Sequence, residues 1–162
     1  MRQKINFFTS YAHEDMASAN SLLHDLQVQL APSLRYDYQL WRDTMLLVGE
    51  DWQVEICTAL ADSQLGLLLL SPAFLSSRFI TNIELPHYLN NSKPVIPVML
   101  QKIDFDLHDL HGLVSKQIYR LQTPNGELKA FGECRSRQQQ QEYARKLFQQ
   151  IEARLDRLKL PS

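Results

Sequence analysis

Residues 64–70 read Gln-Leu-Gly-Leu-Leu-Leu-Leu, and no other stretch of this chain restricts its possible folds as strongly. A strand with one face in water alternates apolar and polar residues with a period of two. A run that is apolar at nearly every position must be covered on both faces. It is far too short to cross a bilayer as a helix, and Ser71-Pro72 interrupts it. Such a strand belongs in the middle of a parallel sheet with helices packed on either side.

The remaining segments fit that frame. Residues 4–9 read as a short buried strand. From Glu14 to about Leu30, Ala19, Leu22, Leu23, Leu26 and Leu30 fall on one helical stripe, which Pro32 closes. A second strand is expected over 37–41. A helix over 50–62 follows, with Glu50 and Asp51 favourably placed in its first turn and Trp52, Ile56 and Leu60 on its buried side. Another helix is expected over 77–90, and a fourth strand over 93–100 whose Pro94 and Pro97 point to a sheet edge. The acid-rich segment 101–115 reads as irregular, with at most one helical turn. A fifth strand over 116–121, a turn at Thr123-Pro-Asn-Gly126 and a long helix over 135–158 complete the pattern. Strands alternating with helices imply a parallel α/β fold of five strands, one domain spanning residues 1–160, and a longer protein could continue beyond it.

Composition narrows the function classes. The chain has 162 residues, 44% apolar and 22% charged, an ordinary globular balance. Its net charge of −1 leaves no global electrostatic footprint for nucleic acid, although a small basic patch is compatible with it. The N-terminus turns polar too soon for a signal peptide and no apolar run suits a membrane span. Cys57 and Cys134 have no metal or redox spacing and read as reduced thiols of a cytoplasmic protein, with Cys57 expected to be buried. The five histidines share no ligand spacing, so no metal is expected.

Parallel sheets of this kind bind ligands beyond the carboxyl ends of their strands, which here means residues 10–14, 41–49, 71–78 and the segment after Leu100. No G-x-G-x-x-G and no Walker loop is present. A receiver-type reading needs an Asp at the end of the third strand, where this chain has Ser71-Pro72. The loop after the second strand is unusual. It mixes Trp41, Met45, Leu46, Leu47 and Val48 with Arg42, Asp43, Glu50 and Asp51. A solvated connection gains nothing from four aliphatics, so the loop is expected to pack on its own domain or on a neighbour.

Four segments in order, Phe7-Phe-Thr-Ser-Tyr-Ala-His-Glu-Asp15, the loop from Trp41 to Trp52, Leu69-Leu-Ser-Pro-Ala-Phe-Leu75 and Ile83-Glu-Leu-Pro86, resemble a Toll/interleukin-1 receptor (TIR) domain of bacterial type. The resemblance implies a flavodoxin-like fold and one of two activities. Some members of the family only assemble, as adaptors or host-mimicking virulence factors. Others cleave NAD+ at the nicotinamide–ribose bond, in bacterial immune defence. The enzymes carry a catalytic glutamate on the helix after the third strand, a position held here by Glu84. They often carry a tryptophan four residues earlier, where this chain has Ile80 beside Phe79. The resemblance also places Ser10, Tyr11, Trp41, Asp43 and Ser71 around the substrate. Tyr11 and Trp41 are equally compatible with packing, Asp43 with a turn, and Ser71 with a helix cap.

One carboxylate is chemically sufficient for NAD+ cleavage. Glycosidases usually need a second carboxyl group to protonate the leaving oxygen. Nicotinamide leaves a cationic pyridinium as a neutral molecule, so the enzyme need only hold the ribose and stabilise an oxocarbenium-like transition state. NAD+ is then substrate, with no cofactor. The product is ADP-ribose if water attacks and a cyclic form if adenine does. The same resemblance gives Met45, Leu46, Leu47, Val48 and Gly49 to self-association into open oligomers, triggered by a fused or separate sensor.

Overall fold

The side-chain alternation along the leucine-rich strand decides which helices it meets. The computed structural model describes residues 1–42, 52–78, 80–90 and 93–158. In chain order these form β1 (Gln3–Ser10), α1 (Met16–Leu30), β2 (Tyr36–Arg42), α2 (Trp52–Asp62), β3 (Leu65–Leu70), α3 (Pro72–Ser76), α4 (Leu85–Asn90), β4 (Val95–Met99), β5 (Leu121–Gln122), β6 (Leu128–Lys129) and α5 (Arg137–Leu158). The main sheet is parallel throughout, with strand order β2-β1-β3-β4. Every residue of β3 is buried. Leu65, Leu67 and Leu69 join Ile5 and Phe7 against α1 and α5, whereas Leu68 and Leu70 join Phe8 against α2, α3 and α4. The expected covering on both faces is therefore present, and the fold is the flavodoxin-like α/β class.

The fifth strand expected over 116–121 is reduced to a single parallel bridge between Val98 and Tyr119. The cause lies in β4. Tyr119 N–H donates to the Pro97 carbonyl (2.8 Å) and its own carbonyl accepts from Met99 (2.9 Å), but Pro97 faces the same edge with no N–H to extend the ladder. Residues 115–117 form a tight turn instead, and residues 121–129 fold into the small antiparallel hairpin of β5 and β6. Side chains replace part of the missing ladder. Tyr119 Oη donates to the Tyr143 carbonyl (2.8 Å), and Tyr143 Oη to the Met99 carbonyl (2.6 Å).

The helix expected over 77–90 is broken into pieces. A separate short helix, α3, precedes them: Ser71 caps it, accepting the Phe74 N–H at 2.9 Å, and Pro72 sits in its first turn. Ser77 has an extended backbone (ψ 115°), which ends α3. A π-helical turn, Ile80–Glu84, then leads into α4. Pro86 cannot donate the α-type bond to residue 82, and the wider i→i+5 turn just before it accommodates that loss.

One smaller expectation differs as well. Cys57 is exposed, because the inward direction of α2 at that turn belongs to Leu60, which is 1% exposed; Cys134 is the buried thiol. The segment 101–115 is irregular, as expected, with turns and no helix before the tight turn that starts at Ser115. The side chains of Trp52 and Ile56, expected on the α2 stripe, lie outside the described part, as do Glu50 and Asp51.

Candidate functional site

The strand order reverses at β1 and β3, the two central strands, so the crevice beyond their carboxyl ends is the switch point of the sheet. Two residues named from the sequence meet there. Ser10 ends β1 opposite Leu68 of β3, and Ser71 follows β3 directly. Ser71 Oγ donates to Asp15, at the end of the short turn after β1, so one hydrogen bond spans the crevice. Asp15 was not foreseen. Only its place at the end of the Phe7–Asp15 segment, directly before α1 begins, hinted at a fixed position. Ser10 Oγ is fully buried and has no hydrogen-bond partner among the described residues.

Glu84 closes the π turn on the β3-to-β4 crossover and is 0% exposed. Ile80, Leu85 and Tyr88, on the same crossover, belong to the apolar cluster on this face of the sheet together with Phe8, Leu70 and Phe74. One helical turn onward, Tyr88 is also 0% exposed, and its phenol is pushed far above its ordinary range, first by burial and then by the Glu84 charge. The Tyr88 ring fills a notch in β3. A Cβ on Gly66 would stand 2.5 Å from Tyr88 Cζ, so only glycine at this position admits the ring. Sequence reasoning missed this pairing, although the one glycine in the leucine run was its visible trace. The row continues across the sheet: Tyr88 lies 6.5 Å from the Phe8 ring, and Phe8 stacks on Trp41 at 4.8 Å. Trp41 is half-buried and stands at the end of β2, just before the apolar loop.

The other named residues divide between core and undescribed positions. Tyr11, placed beside the substrate by resemblance, is 1% exposed and packs with the α1 and α5 cluster on the opposite face from Glu84. Ile80 is 2% exposed and lies in the cluster around Glu84, so the position four residues before the glutamate is spent on packing. Phe79, Asp43 and the loop residues Met45, Leu46, Leu47, Val48 and Gly49 lie outside the described residues.

Beside this site, Lys93 Nζ donates to the carbonyls of Leu60, Ala61 and Ser63 (2.6, 2.9 and 2.8 Å), closing the C-terminus of α2. Burial pulls the Lys93 ammonium below its ordinary value. Burial, then the Lys93 charge, does the same to His87. Among the described residues no group of three or more His, Cys, Asp or Glu side chains is placed to hold a metal. No described helix is long and apolar enough to cross a membrane.

The β3-to-β4 crossover thus carries a buried carboxylate, two serines lie at the switch point, and an aromatic row runs from Tyr88 through Phe8 to Trp41. A family model described as TIR domain matches residues 7–133, well over half of the chain. No curated protein matches it. The matched stretch begins in β1 and ends before α5, although Tyr143, Ala144, Leu147, Ile151 and Leu155 of that helix complete the core. By this match and by its sheet, the chain belongs to the TIR domain family.

Proposed function

We propose that this TIR domain cleaves NAD+ at the nicotinamide–ribose bond, with Glu84 as the catalytic carboxylate, once self-association has opened its site. The observation that carries the reading is the placement of Glu84: a carboxylate at 0% exposure, at the end of a π turn, on the crossover beside the switch point. Keeping a carboxylate in a core is costly, and π turns concentrate at functional sites. Both costs are reasonable where the group has chemistry to perform.

In the open state Glu84 faces the ribose and the positive charge that develops as nicotinamide departs neutral. Ser10 Oγ, without a partner among the described residues, is available to a ribose hydroxyl. Ile80 belongs to the core, so the reading takes Phe79, its neighbour in the sequence, as the aromatic wall. Water as acceptor gives ADP-ribose, and adenine gives a cyclic form. Because Glu84 is closed to solvent in the single chain, turnover requires a rearrangement. The apolar loop residues Met45 to Gly49, docking on a second copy, supply the energy for it, and head-to-tail docking builds open oligomers. The setting is a cytoplasmic defence response triggered by a fused or separate sensor.

The same burial favours a second reading, a purely assembling adaptor or host-mimicking module in which Glu84 never meets substrate. Glu84→Gln separates the two. The substitution keeps size and removes the charge, so nicotinamide release should fall by roughly 10²-fold or more with the fold retained. A folded variant with wild-type turnover sinks the assignment of Glu84.

A further inference from the structure

Four basic side chains line one groove away from Glu84. A groove of about 220 Å³ runs between the turn at residues 116–120 and α5. Lys116 and Arg120 line one wall, Arg154 and Arg157 the other, with Gln117 and Gln150 between them and no carboxylate among the lining residues. Gln150, Arg154 and Arg157 follow helical spacing, so one stripe of α5 points into the groove. Arg120 and Arg154 are half-buried, and the Arg120 guanidinium rests on the Phe105 ring at 5.0 Å. None of these four cations has an ion-pair partner among the described residues, whereas Arg35, Arg137 and Arg145 each pair with a carboxylate. Four unneutralised cations gathered in one concavity repel each other and focus a positive field.

We infer that this groove is a second, anion-binding site for a diphosphate-bearing ligand. Paired guanidinium forks match phosphate oxygens geometrically. The volume suits a diphosphate and is smaller than the usual range for a whole drug-sized ligand. It opens into a trough of about 980 Å³ that shares Tyr119, Arg120 and Gln150 and continues along Thr123, Pro124 and Gln138. That trough has room for the remainder of a nucleotide. One wall comes from α5, which lies beyond the stretch matched to the family model.

The test is calorimetric titration of the whole chain with inorganic pyrophosphate and with ADP, at about 0.15 M salt. Saturable binding is expected for both, tighter for ADP. The double variant Arg154→Gln/Arg157→Gln should weaken each by roughly tenfold or more, while its melting temperature stays unchanged because both changes are at the surface. Vesicles carrying phosphorylated inositol lipids form a separate arm. Vesicle binding that depends on Arg154 and Arg157 and is competed by pyrophosphate would assign the phosphate to a lipid headgroup. Absence of saturable pyrophosphate binding, equal binding by the double variant, or binding of single-stranded nucleic acid alone would overturn the inference.

Discussion

Gly66→Ala isolates the seat of Tyr88. The added Cβ would lie 2.5, 2.6 and 2.9 Å from three atoms of the Tyr88 ring, against an ordinary carbon–carbon separation of about 3.5–4.0 Å. The ring must retreat by about 1 Å, yet it is rigid, fully buried and packed against Phe8. Overpacking of this kind costs about 1–3 kcal/mol. Restricting the unfolded chain returns about 0.4–1 kcal/mol of that, leaving a net loss of about 1–2 kcal/mol. For a domain of this size the melting temperature should fall by about 2–8 °C. Urea unfolding of Gly66→Ala, Tyr88→Leu and the double variant measures the coupling. Leucine relieves the clash, so the double variant should be more stable than the sum of the single changes predicts, by about 1 kcal/mol or more. A neutral Gly66→Ala, or a cycle that closes without coupling, would refute the notch.

Other expectations follow from single contacts. Lys93→Met removes three donors from the end of α2 and should cost about 1–3 kcal/mol in urea unfolding. The His87 imidazole is held below its ordinary value by burial and by Lys93, so the folded state binds that proton less well than the unfolded chain. Its contribution is complete above about pH 6.5 and is lost as pH falls through the depressed value. His87→Gln should therefore flatten the decline in stability across that acidic window. A thiol reagent should modify Cys57 in the folded chain and reach Cys134 only on unfolding, since Cys134 is buried and its thiol is pushed above its ordinary value.

The layout was legible where hydrophobic period was strong. β3, α1 and α5 emerge from their patterns, with α1 and α5 beginning two residues after the sequence suggested. The fifth strand was not legible, because one missing N–H at Pro97 decides pairing with a segment some 20 residues later in the chain. The π turn escaped for a similar reason: Pro86 forbids a bond that the apolar spacing around it still invites. The position of Glu84 could be read by resemblance, but not its burial, because a glutamate within an amphipathic pattern looks solvated. The resemblance placed Tyr11 beside the substrate, yet its ring completes the opposite core.

Enzyme activity activated by assembly is the central claim, and nicotinamide release from NAD+ per chain, followed over a hundredfold range of protein concentration, tests it most directly. Specific activity should be low when dilute and rise together with light scattering, and Glu84→Gln should remove it at every concentration. No nicotinamide release even from concentrated, assembled protein would contradict catalysis. Constant specific activity across the range would contradict a site that must be opened by a neighbour.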